Sequence, residues 1–305
     1  MNKESTNALR LLNAVLLLIV AAFLLACITA PWIFNGLIAL GRNVAVLEEL
    51  RDLRFEEIIS RLVLIYLILG FYPAVRLGGA SSFAPLGLTR DVPRIRAIGR
   101  GWLLGVVSVG ALYVLGAVTG ILVWAPDSWG RLVGRIIGYF IGGLLIGVIE
   151  EVFFRGALFG LLRRLVHWVP AALAVSAFFS FVHFLRPDSP TGIVYGEWYT
   201  GFALVPHMFH TTDQPGFYIP FALTLFVMSL VLCVLYRRHG HLYMIIGLHA
   251  GWVLALGAGR FFFDRATQVE SVFFGTSVNL ARSWAALTLL VLMLIWAAVP
   301  KTKRR

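Results

Sequence analysis

The sequence predicts an all-α polytopic membrane helix bundle of about eight transmembrane helices, with the N- and C-termini both cytoplasmic. Composition is the first reason. Of 305 residues 59% are apolar and only 13% are charged, far from the usage of a soluble globular domain. The second is segment length: apolar stretches able to cross a ~30 Å hydrocarbon layer recur near 10–30, 59–78, 101–124, 134–164, 168–186, 217–237, 241–259 and 282–299. The third is the alternation of charge in the segments between them.

Taken in order, each expected inner segment is net basic. These segments carry Lys3 and Arg10, then Arg76, Arg90, Arg94, Arg96 and Arg100, then Arg163 and Arg164, then Arg237 and Arg238, and finally the tail Lys301, Lys303, Arg304 and Arg305. Lysine and arginine are retained on the cytoplasmic side during insertion. The first outer loop sets Arg42, Arg51, Arg54 and Arg61 against Glu48, Glu49, Asp52, Glu56 and Glu57, and the third sets Arg186 against Asp188, Glu197 and Asp213. Both are net acidic, and the other two outer loops are close to balanced. The formal charge of +11 is therefore explained by topology and contact with lipid headgroups, so no nucleic acid is expected as a partner.

Between the spans no linker, repeat or low-complexity tract stands out, and 1–305 reads as a single membrane domain. The stretches 79–97 and 187–216 are the largest irregular ones, and the apolar stretch after Pro31 is expected along the outer interface. In this topology Cys27 falls near the outer end of the first span and Cys233 near the inner end of the sixth. They cannot approach the ~5.5 Å that a disulfide needs. The run ending at Cys27 also resembles a lipoprotein processing site, although an uncleaved anchor explains its length.

The fourth span carries the chemistry. Glu150 and Glu151 close an apolar run, and Arg155 follows four residues after Glu151. A carboxylate at membrane depth costs on the order of 3 kcal/mol or more, which makes it a functional-site hypothesis by default. Glu151 and Arg155 stand in the favourable order for a helical ion pair, and Glu150 points ~100° away. One glutamate is then neutralised and one is free. By itself the cluster is equally a structural ion-pair network.

Upstream lies a glycine ladder, Gly134, Gly138 and Gly142, with Gly143 and Gly147 beside it. Small residues four apart let a neighbouring helix come close. Gly143 and Glu150, seven apart, share a face, so an inward glycine stripe carries Glu150 inward.

Two of seven histidines, His183 and His249, lie within apolar runs. If the fourth and fifth spans form a hairpin turning near His167 and Trp168, Glu150 and His183 both stand ~22–25 Å along their helices. His249, ten residues beyond His239, joins them only if that second turn sits deeper. The pair His207 and His210 reads as part of a solvated outer loop.

Glu150-Glu151-x-x-x-Arg155, Phe179-x-x-x-His183, and His249 in the run 247–252 resemble the motifs of the CAAX-protease and bacteriocin-processing family of intramembrane metalloproteases. The resemblance covers roughly 134–258, the family-like catalytic core. It implies an endopeptidase in which Glu150 activates water, His183 and His249 hold a divalent metal or the oxyanion, and Glu151 with Arg155 fixes the helix and its charge. The implied metal, with zinc a candidate, would take His183, His249 and Glu150 as ligands. Phe179 would pack against the His183 imidazole or serve as ordinary core. The implied substrate is a membrane-associated protein or peptide, met within the lipid bilayer by a multi-pass protein of the plasma membrane. The sequence departs from the family at Val253, where members usually have Asn four residues after the last His. The competing readings are a non-catalytic bacteriocin-immunity or membrane scaffold protein of the same fold, and a transporter, for which intramembrane polar groups are too few.

Overall fold

The computed structural model describes residues 3–185, 193–208, 215–266, 271, 273–275 and 278–299. His210, Arg186, Asp188, Asp213 and the basic tail beyond 300 lie outside the described residues. The architecture is all-α, built from long apolar helices. Among the described residues five are long and apolar enough to cross a membrane: Glu4–Asn43, Phe55–Leu77, Arg94–Val118, Leu132–Leu162 and Tyr218–His239. Three shorter apolar helices are Trp168–Val182, Tyr243–Gly259 and Trp284–Ala298. The eight stretches read from hydropathy overlap these helices, the third running past Val118 into the strand Leu122–Trp124, and the chain is an integral membrane protein.

The helices are named here α1 (Lys3–Asn43), α2 (Phe55–Leu77), α3 (Arg94–Val118), α4 (Trp129–Glu150), α5 (Trp168–Val182), α6 (Pro215–His239), α7 (Tyr243–Gly259) and α8 (Trp284–Ala298). Two compact units divide them. One comprises Met1–Ser82 with Phe181–Thr211, and the other Phe83–Ser180 with Thr212–Arg305.

In the first unit α1 packs along α2. Pro31 does not end α1, which runs on to Asn43 as one 41-residue helix. At 1.5 Å per residue that is ~60 Å, twice the hydrocarbon thickness. Its buried stripe Ala26, Cys27 and Ala30 meets Phe55, Ile58, Ile59 and Leu62 of α2, together with Leu204 and Met208. Polar links add register: the Thr29 and Tyr66 hydroxyls lie 2.8 Å apart, and Asn35 Nδ2 donates to Gly196 O at 2.8 Å.

The second unit is organised around α7, which is apolar on all sides and buried along nearly its whole length. A helix with no polar face must be enclosed. Glycines make the enclosure tight. Against α3, a Cβ on Gly105 would stand 2.5 Å from Leu248 O, and one on Gly251 would run into Trp102 O. Against α4, a Cβ on Gly147 would stand 2.9 Å from Ile246 O, and one on Gly143 would stand 3.2 Å from Val253 Cβ. Trp252 Nε1 donates to Ser108 Oγ at 3.1 Å across the α3 face.

Of the two glycine rows, the packed one is that of Gly143, which shares a face with Glu150, and not the more regular ladder. Gly134, Gly138 and Gly142 have nothing within 4 Å of an added Cβ, while Gly143 and Gly147, about 100° around the helix, carry the α7 contact. Beyond the helices, Leu122–Trp124 and Phe263–Arg265 pair as an antiparallel two-stranded ribbon that hydropathy did not signal.

The α6–α7 turn is covered by the segment before α3. Leu242 N donates to Gly87 O at 3.1 Å, Tyr243 OH donates to Thr89 O at 2.6 Å, and fully buried Leu86 sits over this end. Gly240, at φ +73°, lets the chain reverse there.

Overpacking a tight crossing typically costs 1–3 kcal/mol. Gly147→Leu and Gly251→Leu are therefore expected to lower the unfolding midpoint in detergent, whereas Gly138→Leu leaves it unchanged. Equal losses at all three positions would contradict the assignment of the packed face.

Candidate active site

At the end of α4 the backbone changes form. Glu150 is the last α-helical residue, and Glu151–Phe159 is a π-helix. Such segments, with i→i+5 hydrogen bonding, are rare and concentrate at functional sites. The widened turn still brings Arg155 back to Glu151. Gly156, also in this segment, lies against the Leu86 carbonyl, where a Cβ would stand at 2.7 Å.

Glu151 Oε1 is the centre of the arrangement. It accepts from Arg155 Nη1 at 2.9 Å and lies 2.8 Å from His249 Nδ1. Both Glu151 and Arg155 are fully buried, and the His249 side chain is 6% exposed. The guanidinium also stacks on aromatic rings, with its Cζ 4.4 Å from the Phe179 centroid and 5.8 Å from that of Phe154. Those two rings meet edge to face at 5.0 Å. Phe179, fully buried, therefore lies against Arg155 as part of the core.

Glu150 is held differently. Its side chain keeps 26% exposure, and its Oε2 lies 3.9 Å from His249 Nε2. Among the described residues Glu150 Oε2 is buried with no hydrogen-bond partner. An ionised Glu151 accepts only, so His249 presents Nδ1–H to it and turns Nε2 toward Glu150. The imidazole thus stands between the two carboxylates.

Four sequence-predicted residues, Glu150, Glu151, Arg155 and His249, are brought together. Although only ten residues separate it from His239, His249 reaches Glu151, and the α6–α7 turn between them is held by the Gly87 segment. His183 belongs to the first unit, in the turn that follows α5, and is half-buried. Val253, at the position of the expected Asn, packs on Gly143. His207 is exposed in the short helix Val205–Met208. Among the described residues no group of three or more His, Cys, Asp and Glu is gathered as for a metal ion. The donor types at Glu150 and His249, one carboxylate oxygen and one imidazole nitrogen, do fit a divalent cation. The π-helix and the ring beneath Arg155 are the parts that sequence reading missed; only the fourfold spacing of Phe179 and His183 hinted at the second.

Removing one partner of a buried ion pair leaves an uncompensated charge and costs about 3–5 kcal/mol. Arg155→Ala is expected to lower stability by that order, and Arg155→Ala with Glu151→Gln to recover part of it. Phe179→Leu should cost about 1–2 kcal/mol through the lost cation–π contact. Thermal unfolding in detergent measures all three, and equal stability of the single and double variants would refute a coupled pair.

The sequence model of a family described as type II CAAX prenyl endopeptidase Rce1-like matches residues 132–255. No curated protein and no solved structure matches the chain significantly. The matched stretch runs from the second turn of α4 into α7 and contains every residue of the cluster. The match to an Rce1-like domain of the type II CAAX prenyl endopeptidases over residues 132–255 thus agrees with the EExxxR, FxxxH and His249 motifs.

Proposed function

We propose that this protein is an intramembrane endopeptidase that hydrolyses a peptide bond of a membrane-associated protein or peptide. The observation that carries the reading is the buried, unpartnered Glu150 Oε2 at 3.9 Å from His249 Nε2. Two acceptors at that separation can both take hydrogen bonds from one water. Glu150, as general base, removes a proton from that water as it attacks the scissile carbonyl. Glu150 passes that proton to the facing His249 Nε2, which delivers it to the leaving amine as the peptide C–N bond breaks, so that both groups return to their starting state. Glu151 and Arg155 do not touch the reacting atoms. They hold the imidazole and keep its Nδ1 proton in place, as an orienting carboxylate does in other acid–base sites.

A divalent cation, with zinc a candidate, would be held by His249 Nε2 and Glu150 Oε2, with His183 as the further ligand that the sequence resemblance assigns. When bound it would lower the pKa of its water toward ~7.

In this reading all eight apolar helices cross the bilayer, with both termini cytoplasmic, in the plasma membrane. The charge alternation of the loops supports that topology. The catalytic core is 134–258. One observation favours the second reading, a non-catalytic immunity or scaffold protein: Val253 fills the expected Asn position with an apolar side chain packed on Gly143. Losing one oxyanion donor typically costs ~10²- to 10³-fold in rate.

Glu150→Gln is expected to reduce cleavage of a membrane-anchored peptide by at least ~10²-fold while the unfolding midpoint stays within error. Retained turnover would refute the protease assignment. His183→Ala and His249→Ala are each expected to lower the metal content of the purified protein, read by elemental analysis independently of activity; unchanged content would remove them as ligands.

A further inference from the structure

We propose that the end of the second unit formed by the 163–167 and 240–242 turns is a binding surface for the phosphate groups of anionic membrane phospholipids. Segments 83–100, 160–168 and 236–242 contain eight arginines and a single carboxylate, Asp91. Exposed arginines ordinarily pair with acids or move freely. Here they are held by aromatic rings and carbonyls. The Arg163 Cζ lies 4.8 Å over the Tyr236 ring and that of Arg237 4.3 Å over Trp168. Arg238 stands over Trp296 at 5.8 Å and donates to Ala297 O at 3.1 Å. Arg164 Nη2 donates to Pro85 O at 2.9 Å. Among the described residues none of these four has a carboxylate partner.

A guanidinium has five N–H donors, so one held by a ring or a single carbonyl keeps donors for a phosphate, which its planar fork matches. So many fixed cations at one end, almost without acids, repel one another unless an anion lies between them. Arg94 and Arg96 add to the effect in the first turn of α3, a turn without any acidic residue, where the helix macrodipole is itself positive. Between them Ile95 is 88% exposed. An exposed apolar side chain flanked by arginines suits the boundary between headgroups and acyl chains and not bulk water. The source of the phosphate is therefore the lipid. This inference rests on the membrane setting and not on the protease reading.

The test uses the full-length protein reconstituted in nanodiscs of phosphatidylcholine alone or with phosphatidylglycerol. Phosphatidylglycerol is expected to raise the unfolding midpoint by about 3 °C or more and to remain bound in native mass spectrometry. The gain should shrink as salt is raised. Inorganic phosphate at the same concentration in phosphatidylcholine nanodiscs is expected to leave the midpoint unchanged. Combining Arg163→Gln and Arg237→Gln with Arg94→Gln and Arg96→Gln should remove more than half of the gain. Should that variant unfold early in phosphatidylcholine, the salt titration of the unmodified protein decides in its place. Equal midpoints in the two lipids, an undiminished gain in the variant, a gain insensitive to salt, or the same gain from inorganic phosphate would each overturn the proposal.

Discussion

The second unit depends on one oxygen atom. Glu151 Oε1 is shared between a guanidinium on its own helix and an imidazole on α7, and an unpaired charge so deeply buried would not be tolerated. Each partner answers a separate requirement: Arg155 compensates the charge, and His249 ties α4 to α7. Because Glu151 accepts the Nδ1–H hydrogen bond, the opposite nitrogen of the ring faces Glu150. Fold and chemistry thus meet in the same hydrogen bonds, and the aromatic floor of Phe179 and Phe154 keeps the guanidinium from turning away.

That arrangement needs α4 and α7 to be closer than ordinary side chains allow. In lipid there is no water to drive two apolar helices together, so contact must come from shape and from polar groups. Gly143 and Gly147 provide the shape on α4, and Gly247 and Gly251 provide it on the α3 side of α7. The polar pair sits where that close approach ends, one helical turn beyond Gly147. Val253 completes the α4 contact, which gives an apolar residue a packing role at the position where the family usually has an amide.

The site was legible because charge is conspicuous in an apolar chain. Glu150, Glu151, Arg155 and His249 each stand out against hydrophobic neighbours, and fourfold spacing was enough to pair Glu151 with Arg155. The packed glycine face was legible only through the register of Gly143 with Glu150. Lipid-facing and protein-facing positions are equally apolar, so the more regular row, Gly134 to Gly142, drew attention while the row that packs lies one residue further on. The π-helix at Glu151–Phe159 left no pattern in residue type, since its cause is tertiary: the fit of Gly156 under Leu86 and the stacking of Arg155. The α6–α7 turn before His249 likewise has a cover, the Gly87 segment, that hydropathy places only as an irregular loop.

Enclosure of α7 also has a meaning in time. A chain is made from its N-terminus, so α3 and α4 enter the bilayer before α7 exists. Until residue 259 has emerged, the glycine faces of both helices meet lipid, and Glu151 has Arg155 but no imidazole. The last-made of the three helices is the one enclosed by the other two, so it inserts as a wedge between helices already in place. Completion of the polar cluster is therefore a late event in the biogenesis of this protein, and an incomplete chain ending before α7 holds its two glutamates without the residue that joins them.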